Sequence, residues 1–151
     1  MTRAFVAIGG NLGDARDAVV RAMGAIGALP GTHLLARSSL YRSAPVDAAG
    51  PDFINAVVAV ETTLAPLALL AALQGLEQDA GRERPYRNAP RTLDLDLLVH
   101  GETVMDTPVL TLPHPRMAQR AFVLQPLAEI APERVGAAAL ALVADQAITR
   151  L

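Results

Sequence analysis

The run Arg91-Thr92-Leu93-Asp94-Leu95-Asp96, continuing into Leu97-Leu98-Val99, constrains this chain more than any other stretch. It has the apolar content of a buried strand, yet it carries two carboxylates two residues apart. Side chains alternate along a strand, so Asp94 and Asp96 share one face while Leu93, Leu95 and Leu97 share the other. Two neighbouring acids repel and lose hydration on burial, so a fold accommodates them where a cation neutralises both. Oxygen-only ligands select a hard cation such as Mg²⁺, which completes its shell with water and phosphate oxygens. The plainer alternative is a pair of aspartates on a solvated strand face. The poor strand propensity of aspartate and the flanking leucines, which imply burial, weigh against it.

The residues just before this strand strengthen the case. Arg82, Arg84, Arg87 and Arg91 lie within ten residues, between Gly81 and the first aspartate, in a loop stiffened by Pro85 and Pro90. A run of charge is usually a solvated surface. Here it adjoins a candidate metal strand, and forked guanidinium groups fit phosphate oxygens. Together they suit a metal–polyphosphate site. All thirteen basic residues of the chain are arginine, which excludes a Schiff-base lysine and the lysine of a Walker A loop. There is no cysteine, hence no thiolate nucleophile, disulfide framework or zinc–cysteine site.

The remaining composition narrows the class. At 151 residues and 52% hydrophobic, the chain reads as a single domain spanning 1–151 with a real core. No apolar run approaches the roughly 20 residues needed to cross a bilayer. The N-terminus reads as a strand and turn rather than a signal peptide, so a cytoplasmic protein without membrane association is expected. A net charge of −2 argues against sequence-independent nucleic-acid binding.

The order of elements follows from periodicity and punctuation. Residues 3–8 read as a strand, Gly9-Gly10-Asn11-Leu12-Gly13 as a turn, and Asp14 as the N-cap of a helix to about residue 28, with Val19, Met23 and Ile26 inward. Pro30-Gly31 breaks it, and residues 33–41 read as one strand. Residues 43–52 form a loop, and 53–63 a strong strand with Phe53, Asn55, Val57 and Ala59 on one face. A helix from Pro66 to about Ala80 buries Leu69, Leu70, Leu73 and Leu76 and ends at Gly81. After the aspartate strand, residues 103–105 read as a short strand. A helix is expected from Arg116 to Glu129, interrupted at Pro126, and an alanine-rich helix from Gly136. The β-α-β-β-α-β order implies an α+β fold: a ferredoxin-like split βαβ sandwich with a mostly antiparallel sheet and helices packed on it.

Other candidates are weaker singly. His114, held between Pro113 and Pro115, is either a structural histidine or a phosphate donor. Phe53 and Phe122 would ordinarily be core, but only five aromatic residues are present. Asn55, on the face of Phe53, offers an amide to the edge of a flat heterocycle. The Gly9–Gly13 loop lacks the pattern of a P-loop or dinucleotide fingerprint, and Ser38, Ser39 and Ser43 sit in no nucleophile elbow.

Taken in order, Ala7-Ile8-Gly9-Gly10-Asn11-Leu12-Gly13, Pro51-Asp52-Phe53-Ile54-Asn55-Ala56, Gly81-Arg82, Pro90 to Leu98, Leu112-Pro113-His114-Pro115-Arg116-Met117 and Arg120-Ala121-Phe122-Val123-Leu124 resemble the 6-hydroxymethyl-7,8-dihydropterin pyrophosphokinase family of folate biosynthesis. The resemblance implies that ATP donates its β,γ-pyrophosphoryl group to the pterin hydroxymethyl, releasing AMP. It implies two Mg²⁺ ions on Asp94 and Asp96, and a pterin between Phe53 and Phe122, read by Asn55 and by backbone around Ser43, Ala44 and Val46. Gln74, Glu77, Arg82, Arg84, Arg91, His114 and Arg120 match the nucleotide side, with adenine near Leu97 and Thr111. Arg82 and Arg91 would close over the phosphates as catalytic groups. ATP and the pterin would be its partners, and the protein a monomer. Two positions depart from the family pattern: Gly10 stands where serine is common, and Asn88 where an aromatic lid residue is common, with Tyr86 out of register to replace it.

Three rivals remain at this stage. A non-catalytic ferredoxin-like metabolite-binding module would need the flat-ligand pocket but neither the aspartates nor the arginines. A nucleic-acid-binding α/β domain would want basic residues interleaved with aromatic ones. Another Mg²⁺-dependent phosphotransferase would differ only in its acceptor.

Overall fold

The computed structural model describes residues 1–45, 50–81 and 93–151. Within these, β1 (Thr2–Gly10), α1 (Ala15–Gly27), β2 (Thr32–Arg37), β3 (Tyr41–Ser43), β4 (Phe53–Thr62), α2 (Pro66–Gly81) and β5 (Asp94–His100) follow one another. They are followed by the short strands β6 (Met105–Asp106) and β7 (Thr111–Leu112), α3 (Ala121–Ile130), α4 (Ala137–Leu142) and β8 (Ile148–Arg150). The main sheet runs β5-β1-β4-β3-β8, with β2 pairing with β4 beside β3. Every pairing in it is antiparallel. With β2 and β3 taken as halves of one strand, the four main strands lie in the order fourth, first, third, second. This is the ferredoxin-like α+β sandwich expected from the sequence. No helix among the described residues is long and apolar enough to cross a membrane.

Period-two alternation divides the core between the two faces of the sheet. Ala4, Val6 and Ile8 of β1, Ile54, Ala56, Val58 and Val60 of β4, and Leu93, Leu95 and Leu97 meet Val19, Met23 and Ile26 of α1 and Leu69 and Leu73 of α2. On the other face Phe5, Ala7, Val57 and Ala59 meet Val123, Leu124 and Leu127 of α3. Three layers result, α1 and α2 against one face and α3 against the other. Asp14 caps α1 as expected, its carboxylate accepting the Asp17 N–H at 3.1 Å. Gly31 turns the chain with φ +63°, where a Cβ would run into the Thr63 hydroxyl.

Several expectations need correcting. Gly9 and Gly10 are the last residues of β1, paired with Asn55 and Ile54, rather than part of a turn. The single strand over 33–41 is two. Ser38 ends the ladder because its hydroxyl accepts the Val57 N–H at 2.9 Å, and Ser39 turns its own N–H to the Glu129 carboxylate at 3.0 Å. The short strand at 103–105 forms at Met105–Asp106.

The helix expected over 116–129 is a 3₁₀ turn at Met117–Gln119 and then α3, separated by Arg120 in extended conformation. Pro126 lies inside α3 without interrupting it. Four flanking apolar side chains, Val123, Leu124, Leu127 and Ala121, are buried, and this packing outweighs one lost backbone bond. The alanine-rich tail makes only the six residues of α4 before β8 pairs with β3.

Candidate active site

The aspartate strand is the sheet's edge, and its register places the two carboxylates. Asp94 pairs with Gly9 and Asp96 with Ala7 of β1, and the same Gly9 and Ala7 pair with Asn55 and Val57 of β4. Directly opposed residues share a face, so one row reads Asp94, Gly9, Asn55. Leu93, Leu95 and Leu97 are buried on the other face, as the alternation requires. The aspartates themselves are less buried than the leucines suggested: Asp94 is exposed and Asp96 intermediate.

Two small residues thus separate the carboxylates from Asn55 and leave an open trough. A Cβ at Gly9 would stand 3.5 Å from Asn55 Oδ1 and 4.0 Å from the Phe53 ring. The trough is part of a cleft of about 470 Å³ that gathers Ser43, Ala44, Phe53, Asn55, Gln74, Glu77, Asp94, Asp96, Arg120 and Phe122. Phe53 and Phe122 are half-buried; both line the cleft, and Phe122 also packs against the α3-side core. Asn55 is buried and donates its amide N–H to the Ser43 hydroxyl at 2.7 Å. Glu77, from α2, accepts the N–H of Leu95 at 2.9 Å, gripping the peptide between the two aspartates. The Arg120 guanidinium lies 5.3 Å from the centre of the Phe122 ring, within cation–π range.

A smaller notch of about 230 Å³ opens beside this cleft, with Asp96 on both. It brings together Leu97, Thr111 and His114, which sequence reading grouped on the nucleotide side. The placing of His114 has a backbone cause. The register between β1 and β5 slips between Phe5 and Val6, passing over Leu98, and the Leu98 carbonyl accepts the His114 N–H at 2.8 Å. The imidazole Nδ1 accepts the Arg116 N–H at 3.1 Å, so the ring proton resides on Nε2. Burial lowers the His114 pKa below its ordinary value; the nearby Asp96 opposes this, and the Arg120 and Arg116 charges add to it.

Val46, Arg82, Arg84, Arg87 and Arg91, with Tyr86 and Asn88, lie outside the described residues. Every other residue singled out for the site lines the cleft or its notch. Sequence reading missed Gly9 and Leu70, which line the cleft, and the turn over 107–110, which lines the notch. The Thr107-Pro108 pair carries a turn signature, and Thr107 Oγ1 does accept the Leu110 N–H at 3.0 Å. No residue pattern announced Leu70. Among the described residues no group of three or more His, Cys, Asp or Glu side chains could hold a metal. Asp94 and Asp96 are a two-carboxylate set that leaves further positions to other oxygens.

Residues 5–132 match the family of 7,8-dihydro-6-hydroxymethylpterin-pyrophosphokinase (HPPK). The chain belongs to this family. It is 50% identical over 132 residues to a 2-amino-4-hydroxy-6-hydroxymethyldihydropteridine pyrophosphokinase of Pseudomonas aeruginosa, covering 87% of this chain and 82% of that one. It is 43% identical over 136 residues to its namesake in Haemophilus influenzae, covering 89% and 85%. Its fold is similar to that of a Plasmodium falciparum HPPK-DHPS crystal structure, with TM-score 0.67 at 14% identity, over 88% of this chain. The match spans only 40% of that longer protein.

Proposed function

We propose that this HPPK-family chain transfers the β,γ-pyrophosphoryl group of ATP to 6-hydroxymethyl-7,8-dihydropterin in the cleft between Asp94/Asp96 and Asn55, releasing AMP. The observation that carries the residue-level reading is the row Asp94, Gly9, Asn55. It puts a flat-ligand pocket and a carboxylate pair on one sheet face, with no side chain between them. A metabolite-binding module would have no use for the carboxylates at the pocket's rim.

The pterin fits between Phe53 and Phe122, its polar edge against Asn55 and the backbone of Ser43 and Ala44. The Ser43 hydroxyl holds one amide N–H of Asn55, leaving Oδ1 free to accept from ring N–H groups. The notch takes the adenine near Leu97 and Thr111, and neutral His114 offers its Nε2–H to a phosphate. Gln74, Glu77 and Arg120 stand between the two subsites. The negative charge of the triphosphate would be met further by Arg82, Arg84 and Arg91, by analogy with the family.

The chain's donors also fit two Mg²⁺ ions: all-oxygen, on one face, beside small Gly9 and Ala7. Mg²⁺ held there by Asp94 and Asp96 would neutralise phosphate charge and acidify the acceptor hydroxyl. The pterin hydroxymethyl oxygen gives up its proton to water and forms a bond to the β-phosphorus as the bond to the α-phosphate oxygen breaks, and AMP carries that oxygen away. The chain's own residues contribute mainly position and electrostatics. Glu77 keeps both aspartates in register, while Phe122 and Arg120 hold acceptor and phosphates together. We take residues 1–151 as one such domain, monomeric and cytoplasmic. The test is to incubate the protein with ATP and Mg²⁺, with and without the pterin, and identify the nucleotide formed. AMP appearing only with the pterin is expected; ADP, or no turnover, would overturn the reading.

A further inference from the structure

Arg120 is the residue between the 3₁₀ turn and α3, and its extended backbone (φ −127°, ψ 112°) is what sends its side chain over Phe122. As the N-cap of α3 it supplies no side-chain acceptor, since a guanidinium cannot accept a hydrogen bond. The first N–H of the helix, that of Ala121, is satisfied from 25 residues away by Gln146 Oε1 at 2.9 Å. The same amide donates its Nε2–H to the Gln119 carbonyl at 2.8 Å. One side chain therefore holds the chain on both sides of Arg120.

Gln146 is itself held at both ends. Its N–H is bonded to the carbonyl of Val143 at 3.0 Å, and Val143 is buried against the α3 face of the core. Two residues on, β8 pairs with β3, Ile148 opposite Ser43. The tail thus connects the start of α3, which carries Arg120 and Phe122, to the strand that carries Ser43. These are two walls of the acceptor side of the cleft. Gln146 also lies beyond residues 5–132, the stretch matching the family.

We infer that Gln146 is a positioning residue for the acceptor: its amide clamps the peptides flanking Arg120 and so sets Phe122 against the pterin, with the Arg120 guanidinium over that ring. It is more than a helix cap. Ala121, Val123, Leu124 and Leu127 are buried and keep α3 in place without it, whereas the side chain of Gln119 is exposed and its backbone is held by the single 3₁₀ turn, its N–H on the Arg116 carbonyl at 3.1 Å. Gln146 is exposed, so its truncation leaves no cavity.

This inference rests on the pyrophosphokinase reading, and the test separates the two. AMP formation is followed against pterin concentration at saturating ATP and Mg²⁺ for the wild-type protein, Gln146→Ala, Gln146→Glu, Arg120→Ala and Gln146→Ala/Arg120→Ala. The pterin KM is expected to rise roughly tenfold in Gln146→Ala with kcat within about twofold, as small misplacements of binding groups do. Gln146→Glu keeps the acceptor for Ala121 but not the donor for Gln119. Its melting temperature should match wild type while its pterin KM still rises. In the Arg120→Ala background the Gln146→Ala change should cost clearly less than in wild type, because part of its effect is carried by Arg120. A pterin KM unchanged in both Gln146 variants, or an equal effect with and without Arg120, would overturn the inference. No pterin-dependent AMP from the wild-type protein would overturn the pyrophosphokinase reading instead.

Discussion

Asn55 donates its amide N–H to the Ser43 hydroxyl at 2.7 Å, and this bond decides which end of the amide faces the cleft. Both residues are buried, so the orientation is not traded with water. Ser43→Ala should free the amide to rotate and raise the pterin KM about fivefold or more, the worth of roughly one hydrogen bond. Ser43→Thr, which retains the hydroxyl, should stay near wild type. Steady-state kinetics with varied pterin checks both.

Asp94→Asn and Asp96→Asn should each lower kcat by at least roughly a hundredfold. The melting temperature of the free protein should hold or rise, because removing one of two neighbouring carboxylates relieves repulsion. Activity and thermal melts on the same preparations test this. A drop of several degrees in both variants would instead assign the pair a structural role.

Glu129 ties α3 to the strand region that leads into Ser43. Its carboxylate accepts from the Ser39 N–H and hydroxyl at 3.0 Å and from the Tyr41 hydroxyl at 2.7 Å. Burial pushes its pKa up, but the Tyr41 and Ser39 hydrogen bonds and the Arg150 charge outweigh that, and the net shift is downward from 4.5. Its stabilisation is therefore complete above pH 4.5 and lost as pH falls through the depressed value. Tyr41 is pushed up to about 12 from 10.0, first by burial and then by Glu129. That contribution is complete below pH 10 and lost as pH rises toward 12. Glu129→Gln should melt roughly 5 °C below wild type at pH 7. The gap should close in acid, as shown by melts across pH 3 to 7.

His114 should act as a neutral donor. Burial and the neighbouring arginines hold its pKa below 6.5, and Nδ1 is already an acceptor for Arg116. The ATP KM should therefore be flat from about pH 6.5 to 8. His114→Gln, which still offers an N–H, should bind ATP more tightly than His114→Ala by roughly fivefold. Calorimetric titration with a non-hydrolysable ATP analogue reads the difference.

What was legible in the sequence was what period and punctuation encode. The alternation Phe53, Asn55, Val57, Ala59 appears as written, because a two-residue repeat admits one assignment of faces. The Asp94/Asp96 face followed from the same rule. What escaped were breaks made by side chains reaching across the fold. Ser38 ends a strand because its hydroxyl, in place of its carbonyl, accepts the Val57 N–H, while its own N–H still bonds the Val57 carbonyl. Arg120 breaks an otherwise periodic helix because Gln146 satisfies the groups the break exposes. Glycine at position 9 looked like a turn residue. Its use is the absence of a side chain between Asp94 and Asn55, which only strand pairing reveals. Pro126 sits in a helix whose buried flanks outweigh its missing donor.

The transferred group itself tests the central claim most directly. ³¹P NMR of a reaction containing ATP, Mg²⁺ and 6-hydroxymethyl-7,8-dihydropterin should show two mutually coupled doublets of a pterin diphosphate growing in step with the AMP singlet, and both should grow at least roughly a hundredfold more slowly with Asp96→Asn. A phosphomonoester singlet growing with ADP, or ATP consumed equally without the pterin, would contradict it.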